Sequence, residues 1–207
     1  IALKEMLAEN GYPDMPLRAT EWGWPSTGIK GYVDKTEQAA YIVRMNVLND
    51  HYDFFEHIDY YTINDGGEDM TNAEHAFGLL YGPKNKVPFG TKPAYLSATT
   101  FNDLMTDAQY IDMITLGENV SAYRYKLRDG RDCVVAWKID AGVEIAGVNL
   151  GANQVTKIDM YGNESELFAQ DGVFTCAYDI TPTYLVGDFD KMETAKAGFS
   201  LSASEIE

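Results

Sequence analysis

Apolar and polar positions fall into two textures along the chain. Leu3, Met6 and Leu7 recur at helical spacing and stop at Gly11 ahead of Pro13, which predicts a short helix over residues 2–10 with a glycine end. Leu17 and Ala19 then alternate as in a short strand, and Glu21 follows two residues further along the same period, at the strand end. Asp34 with Glu37 three residues later forms a capping-box start. Ala39, Ile42, Val43, Met45 and Val47 continue from it as one apolar flank, so a helix of about four turns is expected. Residues 57–63 are rich in β-branched and aromatic side chains and run into Asn64-Asp65-Gly66-Gly67, the composition of a strand and its turn. A long loop carries Phe77-Gly78-Leu79-Leu80-Tyr81, and Lys92-Pro93 opens a further helix to about Met105.

From about Asn119 the period changes to two. Residues 120–127 alternate, Asp129-Gly130 is a hairpin signal, and residues 133–138 answer as the partner strand. Further strands are expected at 143–149, 154–160, 172–178 and 183–187, each bounded by glycine or Asp/Asn. Strands at this spacing point to an antiparallel β-sandwich, with Trp137 in its core. Helices alternating with strands in the first half point instead to crossover units of a parallel sheet. The fold class is therefore α/β plus all-β. The expected domains are 1–110, 118–188 for the sandwich, and 189–207 as a linker or the start of a further segment, because that tail is polar and lacks a strong period.

Composition narrows the function classes. The 207 residues are 45% hydrophobic and 13% aromatic, which suits a core-forming globular chain. Its net charge of -16 argues against nucleic acid and anionic lipid as partners. No apolar run reaches the roughly 18 residues of a membrane helix. His51, His57 and His75 lack ligand spacing, so no metal is expected, and no cofactor motif is present. Cys133 and Cys176 form a bridge only if their strands face each other; buried free thiols are the simpler reading.

The chemistry concentrates in Thr20-Glu21-Trp22-Gly23-Trp24-Pro25-Ser26. A carboxylate on a strand end is held by rigid backbone, and Trp22 and Trp24 offer flat apolar faces of the kind that pack on a pyranose ring. An exposed turn glutamate between two core tryptophans is the plainer reading of Thr-Glu-Trp alone. Tyr60, Asn64 and Asp65, at the mouth of the next strand, are placed to hydrogen-bond sugar hydroxyls, although Asn64-Asp65-Gly66 equally suits a plain turn.

The order of motifs over residues 1 to about 105 resembles the end of the catalytic barrel in clan A glycoside hydrolases. A Gly-Tyr-Pro-Asp-Met-Pro loop leads to Thr-Glu-Trp-Gly-Trp-Pro-Ser, then a Gln-Ala-Ala-Tyr helix, an aromatic strand, Asn-Asp-Gly, His-Ala-Phe-Gly-Leu-Leu and Lys-Pro-Ala-Tyr. The resemblance implies a partial (β/α)₈ TIM barrel of about the last two βα units, since the whole barrel takes roughly 250 residues and eight strands. Residues 118–188 then resemble the small C-terminal sandwich of β-xylosidase and glucosylceramidase kinds. It implies that Glu21 is the nucleophile of a retaining O-glycosyl hydrolase acting on a β-linked glycan or glycoside. The acid/base glutamate of strand four would lie in a missing N-terminal part of the same barrel, leaving the fragment alone inactive. The implied partner is a carbohydrate substrate, with secretion or an extracellular place favoured because polymer-degrading relatives are often exported. Tyr60-Tyr61-Thr62 stands where many clan members carry tryptophan. A non-catalytic carbohydrate-binding protein on a decayed barrel is the alternative.

Overall fold

The computed structural model describes residues 2–198 and divides into two units, residues 1–95 and 96–207. In the first, helix α1 (Ala2–Glu9) leads to strand β1 (Arg18–Trp22), helix α2 (Lys35–Tyr52) and strand β2 (His57–Tyr60). A 3₁₀ turn at Ala73–His75 interrupts the following loop, and helix α3 (Pro93–Met105) spans the division between the units. β1 and β2 pair in parallel and have no other strand neighbour among the described residues. The connection through α2 is what a parallel pair needs, because a tight hairpin cannot reverse the chain direction twice.

α2 starts where its sequence says it should. Asp34 accepts hydrogen bonds from the Thr36 and Glu37 backbone amides, and its own amide donates one to the Glu37 carboxylate. Ala39, Ala40, Ile42, Val43 and Val47 are buried along one face, together with one polar residue, Gln38. α1 buries none of its residues, and Leu3 and Met6 stay exposed despite their helical spacing.

The second unit holds two antiparallel sheets. One contains six strands in the order β3-β4-β5-β10-β7-β8: β3 (Gln109–Leu116), β4 (Val120–Lys126), β5 (Asp132–Lys138), β10 (Thr183–Gly187), β7 (Gln154–Asp159) and β8 (Glu164–Phe168). The other runs β11-β6-β9, from β11 (Glu193–Ala195), β6 (Glu144–Asn149) and β9 (Phe174–Tyr178). Ala122, Val134, Ala136 and Leu185 of the larger sheet share one apolar cluster with Ala146, Val148, Phe174 and Cys176 of the smaller. Two sheets enclosing a common core form a sandwich.

β5 is buried at every position, so both of its faces are covered. Val134 and Ala136 belong to the core between the sheets, which by strand alternation puts Cys133, Val135 and Trp137 on the other face. There Trp137 stacks on Tyr123 with ring centroids 4.8 Å apart. Trp137 is thus buried as expected, but not among the residues of the inter-sheet cluster. The same alternation separates Cys133 from Cys176, and both thiols are free and buried.

Several boundaries differ from the sequence reading. The division falls after Tyr95 rather than near 110, and the sheet region opens with β3 at Gln109, ahead of 118. The region after 188 does not behave as a linker over its described part. β11 pairs with β6, and Phe189 and Met192 lie in the inter-sheet core. Residues 199–207 of that expected segment lie outside the described residues. Phe189→Ala or Met192→Ala should each lower the chain's unfolding free energy by about 2–5 kcal/mol in urea titration, whereas a linker would tolerate either change within error.

Candidate functional site

Glu21 occupies the irregular end of a strand. Arg18 pairs with His57 and Ala19 with Ile58, but the next partners are Trp22 and Tyr60, so three steps on β1 match two on β2. The extra residue breaks the simple alternation from Leu17 through Ala19 to Glu21 that the sequence suggested. Irregularities of this kind re-aim side chains at strand ends. The Tyr61 amide donates to the Trp22 carbonyl at 2.8 Å and closes the pair. Glu21 is exposed, and among the described residues its carboxylate accepts no hydrogen bond. Arg18, further back on β1, is held by Glu56 at 3.1 Å.

An aromatic row stands beside it. Trp22 meets Tyr60 edge to face at 5.1 Å and Trp24 at 5.5 Å, and Trp24 meets Tyr41 of α2 at 5.0 Å. Edge-to-face contacts favour these pairs beyond the area they bury. Gly23 lets the chain between the two tryptophans pass close to Tyr61, since an added Cβ would come within 2.4 Å of the Tyr61 carbonyl oxygen. The structure therefore brings Trp22, Trp24 and Tyr60 to one place, with Glu21 preceding Trp22 on β1.

Tyr60, Asn64 and Asp65 have other tasks from the hydroxyl contacts expected of them. The Tyr60 hydroxyl donates to the Phe77 carbonyl at 2.9 Å, and burial pushes its phenol well above the ordinary range. Asn64 forms a parallel bridge with Leu80 and keeps its side-chain oxygen buried, with no partner among the described residues. Asp65 is 4% exposed. One of its oxygens accepts from Lys92 Nζ and from the Gly78 amide, both at 2.8 Å. A carboxylate so enclosed fixes the loop and does not face solvent. Gly78 permits the approach, because a Cβ there would sit 2.1 Å from the Asp65 nitrogen.

Sequence reasoning missed the residues that organise this loop. Lys92 is buried, and desolvation draws its ammonium below the ordinary lysine range while Asp65 pulls the other way. Its Nζ also donates to the Ala76 carbonyl at 3.1 Å. The same carbonyl accepts from the Ser26 amide at 3.0 Å, from Ser26 Oγ at 3.2 Å and from Gln38 Nε2 at 3.2 Å. Tyr61 donates to Glu74 at 3.2 Å, a bond that raises its pKa, with a smaller contribution from the charge of Glu21. Gln38 had a signal in the sequence, a glutamine set on the apolar flank of a helix; Lys92 had none beyond its place before a helix-opening proline.

Comparison with known proteins follows the same outline. No protein-family model matches the chain. It is 27% identical over 139 residues to a β-xylosidase of Geobacillus stearothermophilus, covering 66% of this chain and 25% of that protein. A family 39 glycoside hydrolase from the gut symbiont Bacteroides cellulosilyticus WH2 superposes with a TM-score of 0.75 at 26% identity, over 90% of this chain and 37% of that one. The chain resembles the C-terminal part of a clan A glycoside hydrolase. The GH51 arabinofuranosidase from Xanthomonas axonopodis pv. citri shares the fold, at a TM-score of 0.55 and 11% identity over 90% of this chain and 45% of that one. The chain thus spans a quarter of the curated relative and just over a third of the family 39 structure.

The buried ion pair gives a direct test. Lys92→Met leaves Asp65 charged and enclosed without its cation, and should cost about 3–5 kcal/mol of unfolding free energy. Adding Asp65→Asn to Lys92→Met should recover part of that loss in the same denaturant titration, because the uncompensated charge is then gone.

Proposed function

We propose that this chain is the C-terminal portion of a retaining O-glycosyl hydrolase that acts on a β-linked glycan or glycoside by double displacement, with Glu21 as the nucleophile. The observation that carries the reading is the placement of Glu21 at the end of a parallel strand beside the Trp22–Trp24 wall, in a chain whose relatives are glycoside hydrolases. In this reading β1 and β2 are the last two strands of a (β/α)₈ barrel. Such barrels carry their chemistry at the C-terminal ends of the strands. The two-stranded sheet, with no further strand on either edge among the described residues, supports it, since parallel strands are normally covered and flanked.

The reaction needs a pair of carboxyl groups about 5–5.5 Å apart. A Glu21 oxygen attacks the anomeric carbon while the C–O bond to the leaving group breaks, and the partner carboxylic acid gives its proton to the departing oxygen. A water then attacks the glycosyl ester, passing its proton to the partner carboxylate and restoring Glu21. The partner belongs to an earlier strand of the same barrel, outside this chain. Trp22 and Trp24 wall the sugar and exclude bulk water from the site, leaving the one water that resolves the ester.

The likeness to a β-xylosidase makes an aryl β-xyloside the first substrate to try. With the full open reading frame that carries this chain, a 2-deoxy-2-fluoro-β-xyloside with a good leaving group should inactivate the enzyme, and peptide mapping should find the label on Glu21. Label on another residue overturns the assignment. Glu21→Gln should lower kcat/KM by about 10³-fold or more, while a non-catalytic binding protein would show no turnover to lose and an unchanged affinity for sugar.

Residues 1–207 purified alone should show no measurable hydrolysis of the same aryl β-xyloside, because they lack the proton donor. Turnover at the rate of the full-length protein would overturn that reading.

A further inference from the structure

Gln38 lies in the first turn of α2, fully buried, with Ala39 and Ala40 beside it. Its amide nitrogen reaches the Trp24 carbonyl at 2.8 Å, and the Ala76 carbonyl, the Phe77 carbonyl and the Tyr60 hydroxyl each at 3.2 Å. Two N–H protons are shared among four oxygens drawn from three segments: the loop after β1, the end of β2, and the loop after β2. Turning the amide over would set its oxygen against three carbonyl oxygens that can only accept.

These acceptors are not equally dependent on Gln38. Ala76 keeps Ser26 and Lys92 as donors, and Phe77 keeps the Tyr60 hydroxyl. The Trp24 carbonyl has no other hydrogen-bond donor among the described residues. What the glutamine specifically holds is the Trp24 backbone, and with it the ring that stands against Trp22. A buried donor of this kind is also costly to remove, since its acceptors lose a partner without gaining water.

We propose that Gln38 is a positioning residue for the Glu21 site: it fixes the Trp22–Trp24 wall from beneath, without touching substrate. The proposal rests on the hydrolase reading for its catalytic consequence, but the hold on the loops stands apart from it. Gln38→Met keeps the length and shape of the side chain and removes every hydrogen bond. Val43→Ala serves as the matched control, because Val43 is buried on the same helix and belongs to neither loop.

The test uses the full-length protein and two measurements. In the first, Gln38→Met should lower kcat for an aryl β-xyloside about 10- to 100-fold, and slow fluoroglycoside labelling of Glu21 in proportion, as displacement of a positioned group does. Val43→Ala should leave kcat within about twofold at a temperature well below either variant's unfolding. In the second, amide hydrogen exchange at Ser26, whose N–H is bonded to the Ala76 carbonyl at 3.0 Å, should speed up at least about tenfold in Gln38→Met relative to amides of α2. Val43→Ala should change the two sets alike. If the two variants match in both measurements, the proposal is overturned. If the wild-type protein neither turns over nor takes label, the hydrolase reading has failed and exchange decides alone: a selective rise at Ser26 supports the positioning role, and a uniform change refutes it.

Discussion

The geometry beside Glu21 depends on a buried polar junction, the Asp65–Lys92 pair together with the Ala76 carbonyl. Past the ends of β1 and β2 only isolated bridges such as Asn64–Leu80 continue the backbone pairing, and buried N–H and C=O groups without partners are costly. Here side chains do that work. Lys92 is shared between Asp65 and Ala76, Asp65 between Lys92 and the Gly78 amide, and Ala76 among Ser26, Gln38 and Lys92. Such a pair is weak evidence of stability in itself, because desolvating two ions offsets most of their attraction. Its value is in specifying one loop conformation: each partner is held by the others, and a shifted loop would strand a charge.

The junction also explains why the loop after β2 is both long and ordered. Long connections carry entropy that must be overcome, and those that hold a shape usually have a function. In this loop the 3₁₀ turn at residues 73–75 delivers the Ala76 carbonyl inward, and Gly78 allows the backbone to pass against Asp65 at a distance no side chain would permit. The Tyr61–Glu74 hydrogen bond closes the outer side of the same loop. Inner and outer faces are thus fastened by different chemistry, a buried ion pair on one side and exposed side chains on the other.

Much of the architecture was legible in the sequence. The capping box at Asp34, the hairpin at Asp129-Gly130 and the strand ends at glycines all act locally, and local signals survive folding. What escaped was set by distant partners. β3 ends in the half-buried run before Gly117 and was hidden by polar positions that face out, β8 is an edge strand with alternating exposed glutamates, and β11 is three residues long. The extra residue in β1 is visible only against the register of β2. At the site, the proximity of Glu21 to Trp22 and Trp24 follows from sequence, whereas the inward turn of Asp65 required Lys92, 27 residues away, to be seen beside it. Asn64-Asp65-Gly66 has the composition of a turn whether the carboxylate faces in or out, so composition alone left both uses open.

The two halves of the site are therefore held differently. The aromatic wall is fixed by groups within this chain: Gln38 under Trp24, Tyr60 against Trp22, and the Tyr61 amide on the Trp22 carbonyl. The carboxylate beside it has no hydrogen bond from any described residue and stands free at the strand end. A nucleophilic carboxylate works only when donors hold it ionised and aimed. Under the proposed barrel these donors, like the proton donor, come from strands before β1, so that the sugar would be walled by the last quarter of the barrel and attacked by a carboxylate that the other three quarters orient.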